Sequence, residues 1–425
     1  MTQIPAGWEE TTLGNVIELI IDHRGQTPKK LGGDWTERFW YRAISAKSIK
    51  NGKLINEEKM NILPVELYKK WMKTEIEFAD VFLTSEAPLW EHMIWKSKEK
   101  LVLSQRIFWI RTQKNLLDPF YFNYFIDSNF YKHELFSRES GSTVTGIKQS
   151  ELIKTKVLLP PLPEQQAIAA VLSSFDDKIE LLRAENQTLE QMGQELFKER
   201  FGAPQPPKGG AYFSHPAEES AHSGALGAEG KSPSGDLGAS LSEGWRVGKL
   251  GEIIKFIKGK KPKAVSDSYK EGWIPQVLIE TLDGWISLFA DPEKSILLNS
   301  GEIVMVMDGA SSGRCEIGFS WVLWSTLGKI DVNPSLKLMV YALLKNKFKE
   351  INGGTTGSSI PHTDKNKICD FDFIIPTKEI LYDFNKVYWN SIEKILSNRK
   401  QIQTLSATRD LLLPKLMSGE VRVEF

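Results

Sequence analysis

Two long stretches of the chain carry apolar residues at helical spacing. After Pro160 they are Ile168, Leu172, Phe175, Ile179, Leu182, Leu189 and Leu196, a heptad seam interrupted at Asn186 and Gly193. After Pro376 they are Phe384, Tyr388, Ile395, Ile402, Leu405 and Leu412, interrupted at Ser391, Asn398 and Arg409. Each stretch predicts a helix of about 35–40 residues, roughly 50–60 Å long at 1.5 Å per residue. Neither helix can bury its stripe alone, so the two are expected to pack antiparallel as a coiled-coil spacer. Asn186, polar within the seam, is a candidate for fixing register at a cost in stability. Elsewhere the pattern is shorter. Val81–Leu83, Arg106–Ile110, Val277–Glu280 and Glu302–Met307 read as strands between turns such as Asn51-Gly52. Short helices are expected around Phe120–Phe130 and Ser335–Lys349. The fold class is therefore α+β.

The pattern occurs twice. GWEETTLGNVIEL from Gly7 is matched by GWRVGKLGEIIKF from Gly244, keeping Leu13/Leu250, Gly14/Gly251, Val16/Ile253 and Ile17/Ile254. GSTVTGI from Gly141 is paired with GTTGSSI from Gly354. VLLP, ending at Pro160, is paired with FIIP, ending at Pro376, and NQTLEQ from Asn186 with IQTLSA from Ile402. Each half thus runs from a mixed globular block, through an apolar strand ending in proline, to a long helix. The expected division is a globular domain over 1–158, a helix over 159–202, a linker over 203–243, a second globular domain over 244–376, and a second helix with a tail over 377–425. The linker is rich in Gly, Ser, Ala and Pro and poor in large apolar residues. The arrangement implies an internal pseudo-twofold repeat.

Composition narrows the possibilities. No apolar run approaches the roughly 18–20 residues that span a bilayer, and Met1–Trp8 lacks a charged segment followed by an apolar core, so a cytoplasmic protein without membrane association is expected. The two cysteines, Cys315 and Cys369, provide neither a disulfide framework nor zinc-ligand spacing. Basic and acidic residues balance at 54 each. A non-specific coat for nucleic acid would be strongly basic, so any DNA contact must use local positive charge or a partner's. Catalytic patterns are missing. GGTTGSS at Gly353–Ser359 has no following lysine for a phosphate loop, and no dinucleotide or adenosylmethionine glycine pattern follows a strand. The histidines are scattered, and Glu86 and Asp308 read as turn or capping residues. No active site or metal site is expected in this chain.

What remains is basic and small polar residues at matching places. Arg24, Gln26, Lys29 and Lys30 follow the first copy's opening strand, and Lys258, Lys260, Lys261 and Lys263 follow the second copy's. A lone lysine loop is often merely solvated, but the paired placement favours phosphate contact. Ser142 and Thr143 in the first copy, with Thr355, Thr356 and Ser358 in the second, offer hydroxyl and backbone donors to phosphate, or form ordinary turns. Gln105, Arg106, Lys148, Gln149, Arg314 and His362 have side chains able to read base edges. For Arg106 the competing reading is a buried partner of an acid beside its strand.

Over nearly its whole length the chain resembles the specificity subunit of type I restriction-modification systems. The resemblance is carried by the Gly-Trp…Leu-Gly pattern at Gly7–Gly14 and Gly244–Gly251 and by LPPLPEQQAIAAVLSSFDDKI at Leu159–Ile179. The most specific stretch is RDLLLPKLMSGEV at Arg409–Val421. TSEAP (Thr84–Pro88) with SQR (Ser104–Arg106), and MDGASSGR (Met307–Arg314) with STLGKI (Ser325–Ile330), resemble target-recognition segments; Trp90 aligns where the second copy has Gly313. The resemblance implies a non-catalytic, sequence-specific DNA-binding subunit. Each globular block would be a target recognition domain reading half of a bipartite, asymmetric site on double-stranded DNA. The helices would set the spacing and dock two modification (methyltransferase) subunits, which would hold S-adenosylmethionine. Restriction subunits would join to translocate and cleave DNA. The alternatives are a coiled-coil interaction scaffold without DNA specificity and, from another class, a fused methyltransferase.

Overall fold

The apolar run around Arg106 becomes strand Ile107–Thr112, buried along its entire length. Its alternate residues serve two cores: Phe108 and Ile110 face one, Ile107 and Trp109 the other. Period-two alternation with both faces covered explains why this strand reads as a continuous apolar run. The second copy repeats the device at Ile303–Val306, where Ile303 and Met305 enter one core and Val304 and Val306 the other.

The protein is described from a computed structural model covering residues 4–38, 40–141, 145–201, 244–283, 288–357 and 360–424. The predicted linker, 203–243, lies outside the described residues. The chain divides into two units, Met1–Ile179 with Thr404–Phe425, and Glu180–Gln403. Both unit boundaries fall inside the long helices, Leu162–Phe201 and Lys378–Met417. Among the described residues no helix is long and apolar enough to cross a membrane.

The first unit is built on a four-stranded antiparallel sheet in the order Ile17–Asp22, Ile107–Thr112, Val81–Ser85, Leu89–Ile94. The second is built on the same order: Ile254–Lys258, Leu327–Val332, Ile303–Val306, Cys315–Ile317. Each unit has a further sheet, three-stranded in the first and five-stranded in the second, whose central strand has one antiparallel and one parallel neighbour. In the first unit Tyr41–Ile44 lies between Ile62–Leu63 and Val102–Leu103. In the second, Ile274–Val277 lies between Phe289–Ala290 and Trp321–Leu323. The Val277–Glu280 run is therefore not a strand throughout. It ends a strand at Val277 and then turns, with the Thr281 hydroxyl receiving the Leu278 N–H.

A two-stranded ribbon closes each copy before its long helix. Glu9 pairs with Leu159 in the first and Arg246 with Ile375 in the second. The Leu-Gly of the repeat anchors it: Leu13 N–H donates to Thr155 O and Leu250 N–H to Phe371 O, both at 2.8 Å, and both leucines are fully buried. Two motif segments of the first unit and the residue just after the third meet at one carboxylate. Glu164 is completely buried, accepts from Trp8 Nε1 at 3.3 Å, and is held by Arg422 Nη2 at 2.7 Å. Its neighbour Gln165 accepts from Asp118 N–H and donates to the carbonyls of Leu116 and Pro160.

The helices run antiparallel within each unit. In the second, Asn186 meets Asn398 and Phe201 meets Phe384; in the first, Asp176 meets Arg409. Two seam interruptions turn out to be packing devices. Asn398, fully buried, donates to Asn186 Oδ1 and Glu185 Oε2, each at 2.9 Å, which answers the expectation for Asn186 with a partner across the seam. Gly193 lies under the ring of Tyr388, where a Cβ would penetrate the ring. The seam also passes through Ile392 rather than its neighbour Ser391.

Gly193→Ala sets two effects against each other. Alanine gains about 1 kcal/mol of helix propensity, whereas overpacking a fitted core loses about 1–3 kcal/mol. Because the obstacle is a buried ring fixed between helices, overpacking wins. Denaturant unfolding of the variant is expected to show a net loss of stability, and a gain would contradict the packing described.

Candidate nucleic-acid interface

At one edge of the first unit, four chain segments converge. Ser85 N–H donates to Arg106 O, and Ile147 N–H donates to Ser85 O. Gly146 bridges both Glu86 and Ser140. Arg24 Nε pairs with Asp22 Oδ2 at 2.7 Å, its Nη2 reaches Ile147 O at 3.2 Å, and its guanidinium lies 5.3 Å from the Phe108 ring centre. Beside it, His23 Nδ1 lies 3.2 Å from Leu103 O; burial pushes the imidazole below its usual value, with this contact opposing.

Arg24 and Arg106 are therefore brought to this edge, with Gln105 beside Arg106 and with Lys148 and Gln149 following Ile147, where Gln149 begins a short helix. Arg106 stands in the left-handed region, at φ 64°, a strained conformation for arginine. Its Nε lies 3.2 Å from Glu86 Oε1, yet its side chain is 47% exposed. The competing reading for Arg106 is thus half right, since it has an acid partner but is not buried. Gln26 is half-buried, its N–H donating to His23 O. Lys29 and Lys30 lie on a short 3-10 turn, Pro28–Leu31; Lys30 Nζ donates to Gly25 O and Lys29 is exposed. Ser142 and Thr143 lie outside the described residues.

The second unit builds the same corner from different side chains. Met307 N–H donates to Thr326 O and Thr363 N–H to Met307 O, while His362 bridges both Asp308 and Thr356. Asp308 receives His362 Nδ1 at 2.7 Å and Lys258 Nζ at 3.4 Å. Lys260 and Lys263 are exposed, and Lys261 Nζ lies 5.9 Å from the Trp324 ring centre. Thr355 is half-buried and Thr356 exposed beside the bridge, and Ser358 lies outside the described residues.

These bridges correct the alignment of the two loops. Ser140 with Gly146 corresponds to Thr356 with His362, so Gly141 matches Gly357 and not Gly354. Both Gly141 and Gly357 have positive φ, 121° and 99°. Gly, Ser and Thr recur so densely here that side-chain identity leaves the register open; backbone pairing sets it. The pairing of Trp90 with Gly313 holds, each being left-handed at φ 68° and 88°.

Arg314 is drawn elsewhere. Its Nε lies 3.3 Å from Glu316 Oε1, in a cluster that joins the sheet to both helices. Glu316 Oε2 also meets Arg399 at 2.6 Å and its Oε1 meets Lys345 at 3.3 Å, while Glu190 pairs with Lys345 at 2.7 Å. Burial alone would raise the Glu316 carboxyl, but Lys345, Arg399 and Arg314 outweigh it and hold it well below the usual carboxylate range. Glu190 moves the other way, raised by its burial and by the Glu316 charge. Arg314 is therefore placed as a structural cation. The residues that inspection of the sequence missed are Glu86 and Asp308, taken there as turn acids; the signal was an acid within two residues of the end of the corresponding strand in both copies.

A family model for the type I restriction modification DNA specificity domain matches residues 5–191 and again 242–406. The MjaIX specificity subunit of a type I restriction enzyme from Methanocaldococcus jannaschii is 29% identical over 81% of this chain and 78% of its own length. The HindI specificity subunit from Haemophilus influenzae is 24% identical over 97% and 99%. Among solved structures, the S subunit of a type I restriction-modification system from M. genitalium superimposes with a TM-score of 0.54 over 96% of each chain, at 16% identity. That likeness supports the fold.

The Glu316 cluster predicts a signed pH dependence. A carboxylate depressed in the folded state stabilises above its unfolded value, 4.5, and that contribution is lost as pH falls toward the folded value. Glu316→Gln leaves Lys345 and Arg399 short of an anion and is expected to lose about 3–5 kcal/mol at pH 7. The gap from wild type should narrow below pH 4.5; unfolding curves at pH 7 and pH 4 that keep the same gap would contradict the assignment.

Proposed function

The chain belongs to the type I restriction-modification DNA specificity family, and we propose that its two units read the two halves of one bipartite, asymmetric site on double-stranded DNA. The observation carrying this reading is the repeated corner. The same strand order and loop pairing present Arg106 and Glu86 in one unit, and Lys258, His362 and Asp308 in the other. One scaffold with different side chains at matched positions suits two different half-sites. Exposed Lys29, Lys260 and Lys263 supply phosphate contact that positions without specifying.

The chain is a DNA-recognition component, and in this reading it is non-catalytic. Two modification subunits dock on the helix pair, carry S-adenosylmethionine and methylate the site; restriction subunits join them to cleave. Local rather than overall positive charge agrees with a net charge of zero if these partners help to enclose the duplex. Family membership disfavours a scaffold without DNA specificity.

The test compares methylomes, by single-molecule sequencing, of a host with and without this gene. A split adenine motif is expected to vanish with the gene. Identical methylomes, in a host where the chain co-purifies with a methyltransferase, would contradict the reading.

A further inference from the structure

The acids at the repeated corner are unexpected on a surface that meets phosphate. A carboxylate there repels the DNA backbone, yet both units have one at the same place, one residue past the second sheet strand in the first and two past it in the second, and bridged to the loop that precedes the closing ribbon. The surrounding residues differ. Glu86 faces Gly146, and a Cβ on that glycine would lie 3.3 Å from the Glu86 Cβ, so the first loop is shaped to the acid. Asp308 faces His362 instead. The cations differ in identity and in origin: Arg106 precedes a central strand, whereas Lys258 ends the edge strand and His362 comes from the loop.

The carboxylates are accessible but not loose, their side chains being 25% and 20% exposed. Each holds its cation at the corner while leaving other N–H groups free to turn outward. Arg106 has only Nε committed to Glu86, and its left-handed backbone is pinned by the Ser85 N–H bond to its carbonyl. Its terminal nitrogens keep the forked geometry that suits the O6 and N7 atoms of guanine. His362 likewise commits Nδ1 to Asp308 and keeps Nε2.

We propose that Glu86 and Asp308 are positioning residues for specificity, each orienting the cation beside it (Arg106 in one unit, His362 and Lys258 in the other) to read a base edge rather than a phosphate. The inference rests on the DNA-reading function above. An acid in this role lowers affinity for DNA in general and raises discrimination, because a cation bound to a carboxylate gains little from a phosphate at an arbitrary position. Removal of the acid therefore loosens recognition without weakening overall binding, a pattern that a merely structural residue would not produce.

The experiment expresses the full-length chain with its modification partners in a host lacking its own copy, and maps methylated motifs by single-molecule sequencing. Wild type is compared with Glu86→Gln, Asp308→Asn and Arg106→Gln, alongside thermal unfolding of each purified chain. Glu86→Gln and Arg106→Gln are expected to relax the same single position in one half-site, with roughly a ten- to hundredfold loss of discrimination there. Asp308→Asn is expected to relax a position in the other half only. An unchanged motif in Glu86→Gln, relaxation in both halves, or loss of all methylation with unaltered unfolding would overturn the proposal. Should Glu86→Gln fail to fold, Arg106→Gln decides: relaxation of one position supports the proposal and a wild-type motif overturns it. A wild-type chain that writes no motif would instead overturn the DNA-reading function itself.

Discussion

Two forty-residue helices, Leu162–Phe201 and Lys378–Met417, each carry an apolar stripe that only another helix can cover. That mutual burial is the constraint on which the remaining architecture depends. It draws together parts of the chain more than two hundred residues apart, as where Asn398 meets Asn186 and Arg409 meets Asp176. It also explains why the first unit is discontinuous in sequence, taking in Thr404–Phe425 from the end of the second helix. Each globular block packs on the helix that follows it and on the far end of the other, so Leu416 and Met417 enter the first unit's core and Phe197 and Phe201 enter the second's. The pair of buried Asn398 and half-buried Asn186 contributes little stability, since Asn398 Oδ1 has no partner. Its use is to favour one register over its neighbours.

Much of this was legible in the residues. Helical spacing located both long helices, and the proline after each closing strand marked where they begin. The strands at Val81–Ser85, Ile107–Thr112 and Ile303–Val306 followed from apolar runs covered on both faces. What was hidden depends on contacts distant in sequence. Gly193 is a break in a seam until Tyr388 lies over it, and Arg314 is a free cation until Glu316 is found buried beside it. The Val277–Glu280 run shows the limit of an apolar pattern, since it cannot say where a strand ends and a turn begins. Glu86 and Asp308 were visible as residues but not as equivalents, because only backbone bridges bring Gly146 and His362 to them.

The neutral net charge takes on meaning from the same distribution. In the second unit, Lys345 and Arg399 are consumed by Glu190 and Glu316 in joining sheet to helices. In the first, Arg422 is consumed by Glu164 in tying the end of the chain to the start of the first helix. Charges used in this way add nothing to attraction for DNA. Among the candidate phosphate contacts, Lys29 beside one corner and Lys260 and Lys263 beside the other are exposed. Affinity from a few phosphate contacts is modest and salt-sensitive; in the proposed reading, discrimination comes from the corners, where an acid orients each cation.

The central claim is that two structurally equivalent units read independently. It is tested most directly by exchanging residues 1–158 for the corresponding domain of another family member and mapping the methylated motif written by the hybrid. The account predicts that one half of the motif changes to that of the donor, while the other half stays as it was. A hybrid that alters both halves, or neither, would contradict it.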